Sequence, residues 1–483
     1  MSNNKSTSKT KAEFCPVAKK CGGCQLQNMT YPQQLSFKQA KIIKLLGRFA
    51  RVDEIIGMEN PYNYRGKVQA AFGTTRGGKI ISGVYQSKSH RIVSIDSCRL
   101  EDKKADEIIV TIRSMMRKYR MTAYNEFTKS GFLRHVLVKR SFSSGEIMVV
   151  LVTGTVVFPA KNAFIRELLE KHPEITTIIQ NINNDYTSMV LGRTEKVLYG
   201  SGKIKDFLCG CEFEISAKSF YQVNPIQTEK LYSKAIEFAN LTGQETVIDA
   251  YCGTGTIGII AAQKAKEVIG VELNKDAVID AKNNAKRNGT KNIKFYCADA
   301  GEFMTAMAEN GEQADVVFMD PPRAGSDKAF LESVITLKPK RIVYISCNPE
   351  TQARDVAFLT KNNYKVRKIQ PVDMFPHTVH VETVVLLSQR RADEHINIKL
   401  DLTELDITSA ECKPTYNEIK DYVLNEYGLK VSTLNIAQIK AECGIIEREN
   451  YNKGKPDHKV PKCTMEKREA IKKAFAHFKV NLK

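Results

Sequence analysis

Apolar runs of strand length alternate with helical patterns over residues 216–390. Each run is rich in β-branched and aromatic residues, which predicts a strand; the six runs are ETVIDAY, EVIGVEL, NIKFYCAD, ADVVFMDPP, RIVYIS and ETVVLLS. Helical stretches such as KDAVIDAKNNAKRNG separate several of them. This alternation indicates an α/β domain with a doubly wound sheet. Ligands of such sheets bind beyond the carboxyl ends of the strands.

Different patterns flank this domain on both sides. Residues 61–215 consist mainly of strand patterns with glycine-rich turns, including the predicted hairpins KVQAAFGTTRGGKIISGVY and RHVLVKRSFSSGEIMVVLVTG. Residues 1–60 contain a polar tip that we expect to be disordered, a cysteine-rich loop and the helical pattern YPQQLSFKQAKIIKLLGRF. Residues 391–483 are helical by pattern and nearly neutral, with 17 basic and 15 acidic residues. The sequence therefore predicts four parts, with a β-rich central domain before the α/β domain and a small helical domain after it.

Length and composition exclude several classes of protein. The 483 residues are 42% hydrophobic, which is enough to bury cores in about three domains. The N-terminus has no apolar signal region, and the longest apolar stretch, residues 147–160, is too short to span a bilayer. We therefore expect a soluble cytoplasmic protein without a membrane partner. In that compartment the 12 cysteines are better explained as ligands, nucleophiles or core residues than as disulfides.

The net charge of +19 is concentrated near the start of the chain. Residues 1–120 hold 23 basic and 9 acidic side chains. Such a distribution favours a polyanionic partner, because each phosphate that is neutralised releases counterions and adds affinity. A generally basic surface without a nucleic-acid partner is the alternative interpretation.

A glycine-rich loop follows the first predicted strand of the α/β domain. VIDAYCGTGTIG places Gly253 and Gly255 between a strand and a helix, and Glu272 ends the next strand. This pattern suits a dinucleotide, but it also suits S-adenosylmethionine, whose ribose hydroxyls can bind a carboxylate at that strand tip. The acidic strand ends Asp299 and Asp320 favour S-adenosylmethionine. Asp299 alone is also explained as an ordinary helix cap.

A thiol stands at the end of another predicted strand. In RIVYISCNPETQARD, Cys347 follows the strand and precedes an Asn-Pro turn. A buried cysteine often serves only as a small hydrophobic residue. The position at the ligand-binding edge of the sheet makes a nucleophile the competing interpretation.

Four groups of motifs are spread over most of residues 15–390. They are CPVAKKCGGC with the distant IDSC, SFYQVNP, DAYCGTGTIG through DPPR, and SCNPETQARD with PVDMFPHTVHVE. Together they resemble the RNA uracil-5 methyltransferase family. The resemblance implies a Rossmann-like fold, with Cys347 as nucleophile and Glu382 as general base. It also implies that S-adenosylmethionine contacts Gln222, Tyr251, Glu272 and Asp320, with Asp299 nearby.

The implied chemistry explains these residue types. C5 of uracil is a poor nucleophile, and a thiolate that adds to C6 makes C5 reactive toward a methyl donor. A carboxylate can then remove the C5 proton. The thiol needs help to ionise. The turn that follows Cys347 is one candidate for that help, and the side chain of Arg354 is the other. Amino-methyltransferases also use an Asp-Pro-Pro turn, but Arg323 stands where they carry a stacking aromatic residue, and they need no thiol.

Four early cysteines form a candidate metal site. Cys15, Cys21 and Cys24 have the spacing C-x5-C-x2-C, and Cys98 lies far downstream. Four thiolates suit zinc and an iron–sulfur cluster equally. The resemblance implies a [4Fe-4S] cluster and a 23S ribosomal RNA substrate, because the transfer-RNA branch of the family generally lacks the cluster.

Other interpretations and residues stay open at this point. A transfer-RNA methyltransferase, a non-catalytic RNA-binding metalloprotein and a dinucleotide-dependent oxidoreductase are the alternatives to a monomeric ribosomal RNA methyltransferase. Phe220 and Tyr221 are candidates for base stacking or for the core, and residues 1–215 could supply phosphate contacts. Residues 391–483 suit either a helix-turn-helix nucleic-acid module or a protein-docking domain.

Overall fold

The computed structural model describes residues 15–86, 89–185, 189–390, 416–443 and 463–478. The chain divides into two compact units, residues 1–395 and residues 396–483. Among the described helices, none combines the length and the apolar character that a bilayer crossing requires. The predicted polar tip lies outside the described residues.

The first sheet of the larger unit has seven strands in the order β3-β2-β1-β4-β5-β6-β7. These strands are β1 (Lys67–Thr74), β2 (Ile80–Tyr85), β3 (Ile92–Ser94), β4 (Leu133–Arg140), β5 (Ile147–Thr153), β6 (Ile175–Ile182) and β7 (Thr194–Tyr199). Both predicted hairpins are confirmed as the antiparallel pairs β1–β2 and β4–β5. Two helices that the sequence analysis did not predict, α3 (Lys103–Met115) and α4 (Lys161–Lys171), pack on this sheet, and β5 and β6 are parallel.

The second sheet also has seven strands, in the order β12-β11-β10-β13-β14-β16-β15. Its strands are β10 (Thr246–Ala250), β11 (Glu267–Glu272), β12 (Ile293–Cys297), β13 (Val316–Met319), β14 (Arg341–Ser346), β15 (Tyr364–Val372) and β16 (Glu382–Gln389). The first five strands in that order are parallel, whereas β16 is antiparallel to β14 and to β15. The helices around the sheet are α5 (Pro225–Ala239), α6 (Thr256–Ala262), α7 (Lys275–Arg287), α8 (Ala300–Glu309), α9 (Lys328–Leu337) and α10 (Pro349–Lys361).

The apolar strands of this sheet are buried on both faces. Two separate core clusters lie against it, one containing Ile259 and Val268 and the other containing Val317 and Tyr344. Continuous apolar runs are expected where helices cover both faces of a parallel sheet. The predicted doubly wound α/β fold is therefore confirmed.

The strand order reverses between β10 and β13, which lie side by side at the centre of the sheet. Helices that follow neighbouring strands there leave a crevice at the carboxyl ends, where ligands of such folds bind. The glycine-rich loop follows β10, and Asp320 follows β13. The topology thus places both motifs at the crevice.

A short N-terminal segment is anchored to the second sheet. It contains α1 (Ala18–Cys21) and α2 (Tyr31–Leu46), and α2 contacts α10 and β15. Lys38 of α2 is fully buried and forms an ion pair of 2.5 Å with the buried Asp373. The hydroxyl of Tyr31 donates a second hydrogen bond to Asp373, at 2.9 Å. Burial lowers the pKa of Lys38, and Asp373 opposes that effect.

Two smaller elements complete the description. The hairpin β8 (Ile204–Leu208) and β9 (Cys211–Ile215) precedes the second sheet. The smaller unit contains α11 (Tyr416–Tyr427), α12 (Thr433–Glu442) and α13 (Met465–His477), whose apolar side chains form a core of their own. The helical prediction for this region is confirmed for these three segments.

Candidate active site

The thiol of Cys347 lies in a tight turn between β14 and α10. The hydroxyl of Ser346 accepts a hydrogen bond from the backbone N–H of Asn348, at 3.1 Å. The Asn348 side chain caps α10 by accepting from the N–H of Glu350, and its amide donates to the backbone oxygen of Arg323. The turn therefore fixes the thiol and ties it to the loop after β13.

Glu382 lies beside this turn because β16 is antiparallel to β14. Ser346, at the end of β14, pairs with Thr383, near the start of β16. The buried amide of Gln352 donates to the backbone oxygens of Tyr344 and Thr383, at 3.0 and 3.1 Å, and holds the two strand ends together. Glu382 itself is only 4% exposed.

Two carboxyl groups and one guanidinium set the electrostatics of the thiol. Burial raises the pKa of Cys347 to about 11, the negative charges of Glu382 and Asp320 add to the rise, and Arg323 opposes it. Burial and Asp320 raise the pKa of Glu382 to about 8, again against Arg323. Burial raises the pKa of Asp320 to about 7. Asp320 and Arg323 thus act on both Cys347 and Glu382.

Arg354, which the sequence analysis considered for activation of the thiol, is used elsewhere. Its guanidinium donates to Asp355 and to the backbone oxygens of Ala324 and Ser326, at 2.7, 3.2 and 2.8 Å. Arg323 is the arginine that influences Cys347. The interpretation of Arg354 was wrong because its position in α10 directs it toward the 324–326 loop.

The glycine-rich loop is held by carboxylates from two neighbouring strands. The N–H of Gly253 donates to Glu272 at 3.1 Å, and the N–H of Gly258 donates to the buried Asp249 at 2.7 Å. Gly255 has φ +80°, and a Cβ there would stand 2.8 Å from the ring of Phe295. Glycine is therefore required at Gly255 for both conformation and space.

The remaining residues implied for the cofactor lie at the same edge of the sheet. Tyr251 has a positive φ of 62° and packs on Phe330, with ring centroids 4.8 Å apart. Gln222 is hydrogen-bonded to the hydroxyl of the buried Tyr232. Asp299 accepts from two backbone N–H groups as the N-cap of α8, which is the alternative role considered for it.

The backbone of the glycine-rich loop is open at Gly253. A Cβ added to Gly253 would meet no atom within 4 Å, and the φ of 55° lies in the left-handed region that glycine adopts most readily. The N–H of Gly253 faces Glu272, and Tyr251 stands two residues before it in the chain. An adenosyl ligand with ribose hydroxyls matches a crevice that offers a carboxylate and an aromatic ring.

Phe220 and Tyr221 occupy different environments. Phe220 is 70% exposed, directly before the segment that carries Gln222. Tyr221 packs against the core of the second sheet and against the core between the first sheet and the hairpin of β8 and β9. Of the two, Phe220 is the residue accessible for stacking.

The four early cysteines gather at one corner of the larger unit. Cys24 and Cys98 both pack against Met58, Tyr64 and Leu100. Burial raises the pKa of Cys24, and the nearby thiols of Cys21 and Cys15 raise it further. Among the residues that the structure describes, no three His, Cys, Asp or Glu side chains are arranged as a ready metal site. The thiols are neighbours, and the ligand set stays a prediction.

The model of the tRNA (uracil-5-)-methyltransferase family matches residues 30–390. This chain belongs to that family. An uncharacterized RNA methyltransferase of Clostridium acetobutylicum is 46% identical over 382 residues, which cover 78% of this chain and 83% of that protein. One of Bacillus cereus is 44% identical over 380 residues, covering 78% and 82%.

A solved structure agrees with this assignment. The tRNA (uracil-54, C5)-methyltransferase of Pyrococcus abyssi, in complex with S-adenosyl-L-homocysteine, is 29% identical with a TM-score of 0.65. The match covers 76% of this chain and 85% of that chain. The protein is thus an RNA (uracil-5) methyltransferase with the Rossmann-like fold of S-adenosylmethionine-dependent enzymes.

Gly253→Ala is expected to weaken binding of S-adenosylhomocysteine at least about tenfold, or ~1.4 kcal/mol. The added methyl group enters the open space in front of the loop, where no protein atom lies within 4 Å. Calorimetric titration of the variant with S-adenosylhomocysteine measures the effect.

Gly311→Ala is the matched control, because Gly311 also has a positive φ, of 73°, and open space around its Cβ. Both substitutions carry a backbone strain of about 1–2 kcal/mol. Equal affinities of the two variants for S-adenosylhomocysteine would show that the space at Gly253 does not receive the cofactor.

Proposed function

We propose that this RNA (uracil-5) methyltransferase forms 5-methyluridine in 23S ribosomal RNA, with Cys347 as nucleophile and Glu382 as general base. The observation that carries the mechanism is the meeting of this thiol and this buried carboxyl at the adjacent ends of β14 and β16. Thiolate addition and proton removal must act on the same six-membered ring, so the two groups need to be this close.

The first step forms a bond between Cys347 Sγ and C6 of the target uracil. The C5–C6 π electrons move toward C5 and O4, which gives an enolate. The pKa of about 11 keeps the thiol protonated in the free enzyme, so its proton passes to solvent water as the bond forms, because Cys347 is only half-buried. The positive charge of Arg323 favours the thiolate. The same charge would stabilise the negative charge that forms on the uracil ring.

Bound S-adenosylmethionine supplies the methyl group that C5 accepts. Glu382 then takes the C5 proton, the C5–C6 double bond returns, and the bond from C6 to Sγ breaks to release the thiolate. A carboxyl with a pKa of about 8 is a stronger base than an ordinary glutamate near neutral pH. Its burial therefore suits it for this step.

The residues proposed to hold S-adenosylmethionine surround the crevice at β10 and β13. Glu272 suits the ribose hydroxyls, and the open space at Gly253 allows the ligand to approach the backbone. The proposed set is Gln222, Tyr251, Gly253, Gly255, Glu272, Asp299 and Asp320. Asp299 takes part while it also caps α8.

Cys15, Cys21, Cys24 and Cys98 are proposed to bind a [4Fe-4S] cluster, with zinc as the alternative. Their proximity at one corner supports a shared centre. Methyl transfer is redox-neutral, so the cluster has a structural or RNA-binding role. These cysteines are also the feature that favours 23S ribosomal RNA as the substrate.

Transfer RNA is the second candidate substrate. It is favoured by the Pyrococcus abyssi relative, whose name states a tRNA substrate. An amino-methyltransferase is disfavoured because Cys347 would then have no role. We further propose a cytoplasmic monomer in which residues 61–215 contact the RNA and residues 216–390 carry the chemistry. Residues 391–483 are assigned neither to RNA contact nor to the chemistry.

Cys347→Ser is expected to abolish the covalent adduct that the wild-type enzyme forms with RNA containing 5-fluorouridine. Fluorine at C5 cannot leave as a proton does, so the bond between Sγ and C6 persists after methyl transfer. Denaturing gel electrophoresis measures the adduct, with 23S ribosomal RNA and transfer RNA transcripts offered in separate reactions.

Cys297→Ser serves as the control, because Cys297 is an exposed thiol at the end of β12. We expect the wild-type enzyme and Cys297→Ser to form the adduct with ribosomal RNA. An adduct with transfer RNA alone would overturn the substrate assignment, and an undiminished adduct in Cys347→Ser would overturn the nucleophile.

Glu382→Gln is expected to methylate once and then retain the RNA covalently, because the C5 proton has no acceptor. In the wild-type enzyme, the rate of product release should rise with pH up to about 8, since a base with a raised pKa is protonated below that value. Rapid-quench measurements of methyl transfer and RNA release over pH 6–9 test both points.

Glu350→Gln is the control, because Glu350 is an exposed glutamate in the first turn of α10. It should release product at the wild-type rate. Normal multiple turnover by Glu382→Gln would remove Glu382 from the role of base.

Protein purified without oxygen is expected to contain iron and acid-labile sulfide, and Cys98→Ser should lose most of both. The reason is that four thiolates complete the cluster and a hydroxyl is a poor ligand for it. Elemental analysis for iron, sulfide and zinc in the same sample measures the content, with Cys297→Ser as control. A stoichiometric content of zinc without iron would show that the four cysteines bind zinc and not the cluster.

A further inference from the structure

The loop between β15 and β16 carries a histidine next to the catalytic cluster. His380 lies two residues before Glu382, and its ring packs edge-on against Phe375 with centroids 6.3 Å apart. Nη2 of Arg323 lies 2.5 Å from Nδ1 and 3.2 Å from Nε2 of this ring. The histidine is thus in direct contact with the arginine that acts on Cys347.

The contact requires a neutral imidazole. A guanidinium has only donors, so the ring nitrogen that faces it must accept. Burial and the positive charges of Arg323, Lys38 and Lys41 lower the pKa of His380. Lys41 is paired with Glu350 at 3.0 Å, and Lys38 with Asp373. All three cations disfavour a protonated ring.

Arg323 depends on this contact for its position. Among the described residues, none of the carboxylates forms an ion pair within 4 Å of its guanidinium. Its backbone oxygen is held by the side chain of Asn348, whereas its side chain is held by the histidine. Without that acceptor, the long, solvent-exposed side chain of Arg323 would populate other rotamers.

The backbone around the histidine is itself fixed. The N–H of His380 donates to the hydroxyl of Thr378 at 3.3 Å, and that hydroxyl donates to the backbone oxygen of Phe375 at 2.8 Å. Nζ of Lys38 donates to the same oxygen at 3.0 Å. The His380 ring therefore belongs to a loop that is anchored by the buried ion pair of Lys38 and Asp373.

We propose that His380 is a positioning residue, whose neutral imidazole accepts from Arg323 and holds the guanidinium beside Cys347 and Glu382. This proposal rests on the function proposed above. It predicts that His380 acts on the reactivity of the thiol through Arg323, without touching uracil or the methyl donor.

The test compares His380→Leu, which removes the acceptor, with His380→Gln, which keeps one. Alkylation of Cys347 by iodoacetamide is followed by mass spectrometry of its peptide over pH 7–10. His380→Leu should slow alkylation at pH 8 at least about fivefold, because a guanidinium without its acceptor leaves the position in which it favours the thiolate. His380→Gln should restore much of that rate. His90→Leu is the control, because His90 is exposed on the central domain.

Arg323→Gln and the double variant complete a cycle. If the histidine acts through the arginine, His380→Leu adds no further slowing in the Arg323→Gln background. Binding of S-adenosylhomocysteine and of RNA confirms that each variant is folded. Wild-type alkylation of His380→Leu, equal slowing by Leu and Gln, or multiplicative effects in the cycle would each overturn the proposal.

The alkylation test also separates this proposal from the proposed function. It reads the thiol in the free enzyme, without RNA or methyl donor. An enzyme that forms no adduct with 5-fluorouridine RNA would refute Cys347 as nucleophile, whatever the alkylation rates are. A wild-type adduct together with unchanged alkylation of His380→Leu would refute only the role of His380.

Discussion

The buried ion pair of Lys38 and Asp373 is the interaction on which the geometry of the site depends. Both side chains are fully buried, and charges removed from water are tolerated only when they are paired and hydrogen-bonded. Tyr31 and the backbone oxygen of Phe375 supply those hydrogen bonds. The pair joins an N-terminal helix to the loop that leads from β15 to Glu382. The N-terminal segment therefore supports the loop that precedes Glu382.

The same loop brings the cysteine corner into contact with the site. The N–H of Leu26 donates to the backbone oxygen of His377, and the N–H of Val379 donates to the side chain of Gln25. The buried side chain of Gln34 bonds His377 in addition, so the loop is held from α2 and from the cysteine segment. A centre formed by the four cysteines would thus be connected to Glu382 through a few hydrogen bonds.

Local patterns predicted the strands that carry continuous apolar runs, and they missed elements decided by distant contacts. β15, with the sequence YKVRKIQPV, alternates apolar residues with exposed charges at the sheet edge, so it lacks a continuous apolar run although Asn362 and Asn363 mark its start. The antiparallel direction of β16 follows from its pairing with β14 and is not encoded in its own residues. Similarly, motifs predicted Cys347 and Glu382, whereas the influence of Arg323 arises only where the ends of three strands meet. Arg354 was chosen for its proximity in the chain, and its helix directs it elsewhere.

The charges around Cys347 explain how a reactive thiol can be kept inactive. Two carboxyls and burial raise the pKa of the thiol, so the free enzyme carries a protonated sulfur that reacts slowly with oxidants and alkylating agents. A single guanidinium opposes them. In the proposed mechanism, the same guanidinium also favours the negative charge that develops when sulfur adds to uracil. One cation, Arg323, opposes three acidic groups, so its position controls the pKa of the thiol. The neutral ring of His380 is an acceptor that can fix this position without adding charge.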